Sequence, residues 1–368
     1  MTEDGRQKTR GNRIEIVAPS RICLFGDHQD YLGLPIIACA INRQVTLTAE
    51  KNTTREFNFS LPDINSKRKF AIDKAFDTLK TGDFFASVLK RVKKYGCIPD
   101  EGYNITIQGN IPVNAGVSSS SAIVVAWTSF LLNTFGCDRE ITSEFIAQVA
   151  YEAEVLEHNS PGGKMDQYTI GIGNIVFIET GDYFNYQLIG KELNGLVLGE
   201  SGIKKDTLGL LLSVKTNALK AIEIVQRQHP SFTIEKAILK DYWENVHFLP
   251  KELKPFFYAA IQNHLITQKA LVELKKETID IEKIGELINE HHAILRDDLK
   301  ITVPRIDAMI DAALDAGAYG AKIVGSGGGG CIVAVSPKGR ELEISNAIKG
   351  AGAKNAYPVL VAKGVHSL

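Results

Sequence analysis

A chain of 368 residues exceeds what one hydrophobic core comfortably organises, so two domains are expected. Its 44% hydrophobic and 23% charged residues exclude a disordered or fibrous protein. A formal net charge of −1 offers no bulk attraction for nucleic acid or an anionic membrane, so an anionic ligand must be held by local groups.

The five cysteines, Cys23, Cys39, Cys97, Cys137 and Cys331, are scattered and show no C-x-x-C spacing, which points away from a disulfide framework or structural zinc and toward a reducing compartment. Residues 1–13 are polar, with no apolar leader segment. The longest apolar stretches, 32–41 and 122–132, are shorter than the roughly 20 residues that cross a bilayer. The expectation is a soluble cytoplasmic protein with neither nucleic-acid nor membrane partners.

In chain order, residues 14–18 (IEIVA) and 44–49 (QVTLTA) read as strands, separated by a polar, glycine-punctuated segment. Another alternating strand, 103–108, leads into IPVNAGVSSSS and then an apolar helix ending at Gly136. Phe145, Val149, Ala153 and Leu156 recur at helical spacing, which predicts a helix over 141–158 capped by Thr142 or Ser143. A strand is expected at 174–179, and residues 180–205 read as irregular, with the domain boundary inside them. Beyond lie LLLSV, helices over 234–248, 253–276, 281–296 and 304–316, and two strands flanking Gly325–Gly330. The mixture predicts an α+β protein divided into residues 1–200 and 201–368.

The serine run is the first chemical signal. A strand, a glycine-containing turn, four serines and a helix start make an anion site: backbone N–H groups and the helix dipole point at the ligand. Ala115 and Gly116 let the backbone approach, and small serines add hydroxyl donors. One serine is enough for a helix cap; four in a row are more than a cap requires. No G-x-x-x-x-G-K-[ST] occurs anywhere in the chain.

Gly325–Gly330 formally satisfies G-x-G-x-x-G, but strand-like segments flank it on both sides. A dinucleotide fingerprint opens a helix, so this run reads instead as a strand-to-strand turn. So many glycines imply either repeated positive φ or close approach of another backbone, with the phosphate loop the expected neighbour.

Together these segments resemble the GHMP kinases. PVNAGVSSS at 112–120 is similar to that superfamily's phosphate loop, and 325–330 to its C-terminal glycine motif. Within the superfamily, SRICLFGDHQDY at 20–31 resembles the galactokinase signature GRVNLIGEHTDY, and GKMDQ at 163–167 resembles its GIMDQ. HAILRDD at 292–298, followed by TVPRID at 302–307, is similar to a third galactokinase stretch. The motifs run in family order from residue 19 to residue 335.

That resemblance implies a two-domain GHMP kinase fold, with an N-terminal domain like the second domain of ribosomal protein S5 and a ferredoxin-like C-terminal domain. It implies ATP as phosphoryl donor, ADP as product, Mg²⁺ as cofactor and a sugar hydroxyl, the anomeric one, as acceptor. Asp166 becomes the catalytic carboxylate and Arg21 its partner. Ser120 and Glu154 become the Mg²⁺ ligands. Gly116, Ser118, Ser119, Ser120, Ser121, Gly327 and Gly328 surround the nucleotide. Asp27, His28 and Asp30 contact sugar hydroxyls, and Gly163 gives close backbone contact. On the residues alone, Glu154 also reads as part of a solvated face with Glu152 and Glu157, Asp166 as a turn aspartate, and Arg296-Asp297-Asp298 as a salt-bridged helix end.

The chain departs from the galactokinase pattern. Asp27 stands where glutamate is usual, Leu32-Gly33-Leu34 replaces Asn-Gly-Gly, and no counterpart of the family's arginine-rich, tyrosine-bearing segment follows residue 210. Shortening glutamate to aspartate withdraws the carboxylate by roughly 1.5 Å, enough to break or reassign a hydrogen bond. A galactokinase-like sugar kinase is therefore the leading expectation. A kinase for another sugar or small alcohol, and a non-catalytic sugar sensor, stand as alternatives.

Overall fold

The computed structural model describes residues 13–76, 78–181, 184–203 and 207–368. Part of the segment read as irregular, 182–183 and 204–206, lies outside the described residues.

The first strand, β1 (Arg13–Phe25), runs seven residues past the expected 14–18. Pro19 lacks an N–H and would interrupt a regular ladder, but the pairing with β2 (Ile36–Lys51) shifts register between Pro19 and Ser20 and continues. This irregularity carries Arg21 inward as part of a buried strand. A hairpin of β3 (Glu56–Leu61) and β4 (Ser66–Ala71) follows, then α1 (Phe84–Lys93) and β5 (Tyr103–Gly109). Next come α2 (Ser119–Phe135), α3 (Ser143–Tyr151), α4 (Met165–Ile172), β6 (Ile175–Glu179) and β7 (Asn185–Ile189).

The second half contains β8 (Leu196–Glu200), α5 (Thr207–Gln228), α6 (Leu239–Asn245), α7 (Lys254–Leu274), α8 (Ile281–Asp297), α9 (Pro304–Asp315), β9 (Gly320–Ile323), β10 (Cys331–Val335), α10 (Glu341–Gly350), β11 (Asn355–Val359) and β12 (His366–Ser367). One sheet has the order β12-β1-β2-β5-β3-β4, with β6 paired to β2 and β7 to β6. The other has the order β11-β8-β10-β9 and is antiparallel throughout. The α+β expectation holds.

The two sheets do not divide at residue 200. β8 ends there, yet it is an interior strand of the second sheet, and β12 returns to the first. The segment LLLSV lies inside α5, and the expected helix over 234–248 is broken into short pieces around α6. Strands β7 and β8, in the stretch read as irregular, are too short to display alternation clearly.

α2 is apolar on nearly all sides because it is buried on nearly all sides. Trp127 is fully buried, edge-on to Phe57 and Phe59 at 5.0 Å and stacked on Phe130 at 5.5 Å. This packing fixes the helix whose N-terminus carries the serine run. No helix among the described residues is long and apolar enough to cross a membrane.

Trp127→Ala should cost about 3–5 kcal/mol of folding stability, as large-to-small core changes do. Urea denaturation will read this as a lowered midpoint; an unchanged midpoint would show that the aromatic cluster does not support α2.

Candidate active site

The serine run forms a loop rather than a simple cap. Asn114, Gly116 and Ser118 all have positive φ (55°, 80° and 63°), which turns the chain sharply before Ser119 opens α2. Ser118 sits at the N-cap but its side chain does not cap the helix. Instead its hydroxyl donates to Oδ2 of Asp166 at 2.6 Å. The loop is held from below by β1: the Ser20 hydroxyl donates to the Val117 carbonyl at 2.6 Å, and Nη1 of Arg21 donates to the Gly116 carbonyl at 2.8 Å. The free end of α2 faces a cavity of about 520 Å³ whose wall includes Ser119, Ser120 and Ser121.

Asp166 lies in the first turn of α4. Nε of Arg21 donates to its Oδ1 at 2.7 Å, and the second guanidinium nitrogen lies 2.6 Å from the same oxygen. Arg21 is only 4% exposed. Burial alone would lower its pKa, but the charge and hydrogen bond of Asp166 carry it above the ordinary value. The catalytic pair implied by the family motifs is thus brought together, with the serine loop as a third partner.

Asp30 faces the same cavity. Burial and the nearby charge of Asp166 raise its carboxyl to about 6, against the pull of hydrogen bonds from the Met165 and Tyr31 backbones. Gly163 is explained here, since a Cβ at that position would lie 2.1 Å from Oδ2 of Asp30. His28 also lines the cavity, at φ = 64°, with Nδ1 2.8 Å from the Tyr31 hydroxyl.

Glu154 resolves an ambiguity of the sequence. The three glutamates of its helix do not share one solvated face. Glu157 pairs with Lys90, Arg91 and Lys94, and Glu152 pairs with Arg91 and Tyr95. Residues Glu152–Leu156 form a π-helical turn, and the extra residue per turn rotates Glu154 inward, to 8% exposure. Its carboxyl accepts from Gln167 at 2.6 Å. Burial raises it to about 7, although Gln167 and the hydroxyls of Ser121 and Ser120 work in the opposite direction. No ion pair reaches it among the described residues. One buried carboxylate beside two hydroxyls and an open cavity is a hard oxygen set that suits Mg²⁺, an ion usually held by one or two carboxylates together with substrate phosphates.

Three expectations need correction. Asp27 touches the cavity wall but is 1% exposed, and both its oxygens are engaged: Oδ2 with Nζ of Lys322 at 2.5 Å, Oδ1 with the Gly325 N–H at 2.8 Å. Burial would raise the Asp27 pKa, but Lys322, together with His291 and the Gly325 N–H, lowers it overall. The shortened side chain is therefore a structural ion-pair partner in this structure. Gly327 and Gly328 do not line the cavity. Gly327 packs where a Cβ would meet Ile301 at 2.6 Å, and the Gly328 N–H donates to the Ile301 carbonyl at 2.7 Å; Gly325 and Ser326 form the cavity wall instead. The glycine run is the expected hairpin turn between β9 and β10, but its close neighbours are Ile301 and Ile203 rather than the phosphate loop.

Arg296 pairs with Asp297 on the surface, the salt-bridged helix end. His291 is fully buried and stacked on Phe25 at 6.2 Å; burial and then Lys322 push its pKa down to about 3, leaving it a neutral ring. Sequence reasoning missed Lys322, Gln29 and Gln167. The signal for Lys322 was a lysine inside the apolar strand AKIV, since a charge buried there demands a partner.

A carboxyl whose folded pKa lies above its unfolded value binds extra protons in the folded state, so its contribution to stability declines as pH rises through that window. Asp30→Asn and wild type should therefore unfold at similar temperatures near pH 4, with the variant gaining ground as pH rises toward about 6 and the difference levelling off above that. Thermal unfolding of the ligand-free protein across this range checks it, and a pH-independent difference would refute the raised carboxyl. The comparison is made as a difference because His291 and His292, with lowered pKa values, carry the opposite slope.

Comparison with known proteins agrees with this geometry. Residues 83–174 match the GHMP kinases N-terminal domain, residues 268–354 the GHMP kinases C-terminal region, and residues 7–51 the galactokinase galactose-binding signature. A mevalonate kinase from Thermococcus sibiricus is 29% identical over 351 residues, covering 92% of this chain and 94% of its own. A galactokinase from Actinobacillus succinogenes is 26% identical over 391 residues, covering 98% and 97%. The crystal structure of Lactococcus lactis galactokinase complexed with galactose superimposes with a TM-score of 0.85 at 20% identity, covering 97% of this chain and 95% of that one. With N- and C-terminal motifs in order on this fold, and a serine loop, a paired aspartate and a buried glutamate meeting in one cavity, the chain belongs to the GHMP kinase superfamily.

Proposed function

We propose that the protein transfers the γ-phosphoryl group of ATP to a hydroxyl of a neutral monosaccharide, the anomeric one in the galactokinase manner. The observation that carries this reading is the bonding of Arg21 and Ser118 to Asp166 at the N-terminus of α2, with Glu154 in the wall of the same cavity. Backbone N–H groups at the start of α2, with Gly116 and the hydroxyls of Ser119 to Ser121, would hold the nucleotide's phosphates. Ser120 and Glu154 would hold Mg²⁺, which would supply charge neutralisation for the phosphates.

Asp166 orients the acceptor hydroxyl and accepts its proton late, as the new O–P bond forms and the bond to the β,γ-bridging oxygen breaks, releasing ADP. Arg21 keeps a paired positive charge beside that carboxylate, so the developing negative charge meets a preorganised donor. His28 and Asp30 would bind the acceptor's other hydroxyls, with Gly163 leaving room for Asp30. We assign both nucleotide and acceptor mainly to the first-sheet half, and to the second-sheet half the wall formed by Gly325 and Ser326.

Charge favours a neutral acceptor. Asp30 and Asp166 lie at this end of the cavity, and among the described residues of its wall Arg21 is the cationic side chain, already paired with Asp166. A carboxylic acid such as mevalonate would meet Asp30 with no unpaired lysine or arginine among those described wall residues to offset it. The galactokinase signature over residues 7–51 supports the same choice. The similarity to mevalonate kinases favours a second reading, a hydroxy acid as acceptor, and one assay separates them.

Coupled ADP release with galactose, glucose, arabinose, galacturonate and mevalonate should show turnover on a neutral sugar and little on either acid. Turnover confined to mevalonate would overturn the sugar assignment, and no turnover on any acceptor would leave the sensor in place of the kinase. Asp166→Asn should lower kcat by about a thousandfold while still binding ATP, within the range for loss of a general base. Wild-type-like kcat in that variant would remove Asp166 from its role.

The raised carboxyl of Asp30 sets a pH dependence. Below about 6 it is protonated and loses acceptor capacity, so the acceptor KM should fall as pH rises through that value. The same profile measured on Asp30→Asn should be flat; an unchanged profile would assign the titration to another group.

A further inference from the structure

His28 and Asp30 face the cavity, whereas Gln29 does not line it, and Asp27, which touches its wall, has both carboxylate oxygens engaged. Asp27 and Gln29 are each 1% exposed and bonded to the second half of the chain. We propose that Lys322 and Gln29 are positioning residues that clamp the acceptor-facing loop from behind, so that elements of the second half set where His28 and Asp30 stand.

Two separate anchors make the clamp. The first begins on β9, where the fully buried Lys322 reaches Oδ2 of Asp27 at 2.5 Å and the Cys23 carbonyl at 3.0 Å. Oδ1 of Asp27 then accepts the Gly325 N–H at 2.8 Å, so one carboxylate joins the loop to the glycine turn that forms part of the cavity wall. The second anchor is on α7. With the Gln29 amide oriented so that donors meet acceptors, its nitrogen lies 3.2 Å from both the Asn263 carbonyl and the Thr267 hydroxyl, and its oxygen 3.2 Å from the His264 N–H. The Gln29 carbonyl meanwhile accepts from the N–H groups of Leu32 and Leu34, at 2.9 and 3.2 Å, closing the loop on itself.

Bulk stability does not explain this expenditure of buried polar groups. A buried ion pair is typically no better than well-packed apolar residues of the same volume, so its contribution lies in fixing geometry. The geometry matters because a misplacement of about 1 Å at a reacting or binding group costs up to a hundredfold in rate. Neither Lys322 nor Gln29 lines the cavity, so each acts only through the loop.

This inference rests on the proposed kinase reading for its kinetic test, and a second measurement is independent of it. Gln29→Met keeps the shape of the side chain and removes its hydrogen bonds; Thr267→Val removes a partner from α7. Both should raise the acceptor KM by about tenfold, with the ATP KM within about twofold of wild type, the signature of lost acceptor positioning. The double variant Asp27→Asn/Lys322→Gln, which strands no charge, should behave likewise. Amide exchange across residues 27–34, at Leu32 and Leu34 above all, should quicken in the ligand-free Gln29→Met protein. An unchanged acceptor KM, or acceptor and ATP KM values rising together, would overturn the clamp. If the wild type phosphorylates nothing, the kinase reading fails by itself, and exchange alone decides the clamp: faster exchange upholds it, unchanged exchange overturns it.

Discussion

The Arg21–Asp166 pair is the contact on which the rest of the site depends. It joins a buried strand, the serine loop and the first turn of α4, which are far apart in sequence. Arg21 is held by Asp166 and the Gly116 carbonyl, and Asp166 by Arg21 and the Ser118 hydroxyl. Each member is fixed by the other two, so the serine loop proposed to hold phosphate and the carboxylate proposed to meet the acceptor share one reference frame. A loose, charge-dispersed phosphoryl transition state is stabilised almost wholly by such placement.

Around that pair the site concentrates negative charge that the ligand-free protein does not fully compensate. Asp30 and Glu154 both have raised pKa values, chiefly through burial and then through neighbours. A fold selected only for stability would place a cation beside each. Among the described residues neither carboxylate forms an ion pair, which makes sense if ligands complete the balance: hydroxyl donors at Asp30, a divalent cation at Glu154. Asp27 is the contrasting case, a carboxylate fully neutralised inside the protein by Lys322. Three carboxylates around one cavity thus separate by environment into one internal anchor and two cavity-facing groups.

Much of this was legible in the sequence, and the parts that were not share a cause. Periodicity gave α3, α7, α8 and α9 closely because each is buried on a definable face, and α2 because its apolar run is long and ends at Gly136. Motif order gave Arg21, Ser120, Glu154, Asp166 and Gly163 as neighbours before any geometry was known. What local pattern could not give was direction. Glu152, Glu154 and Glu157 look alike in a string; a π-helical turn, set by tertiary packing, sends only Glu154 inward. Ser118 is expected beside the nucleotide, yet its left-handed backbone lies where the hydroxyl donates to Asp166. The short strands β7 and β8 lack the length for alternation to show, and the sheet partner that defines β8 lies more than a hundred residues later.

Asp27 shows how one methylene can move a residue from one function to another. With the longer glutamate of the galactokinase pattern, a carboxylate at this position would project farther from the loop. As aspartate it stops where Lys322 and the Gly325 N–H can hold it, and the adjacent Gln29 is long enough to reach α7. The family pattern has threonine at the position of Gln29, too short to make that reach. Both departures bind the loop to the second half of the chain. On the proposed sugar-kinase reading, selectivity then depends on how firmly His28 and Asp30 are held, since a fixed hydrogen-bonding site rejects an ill-matched hydroxyl far better than a mobile one.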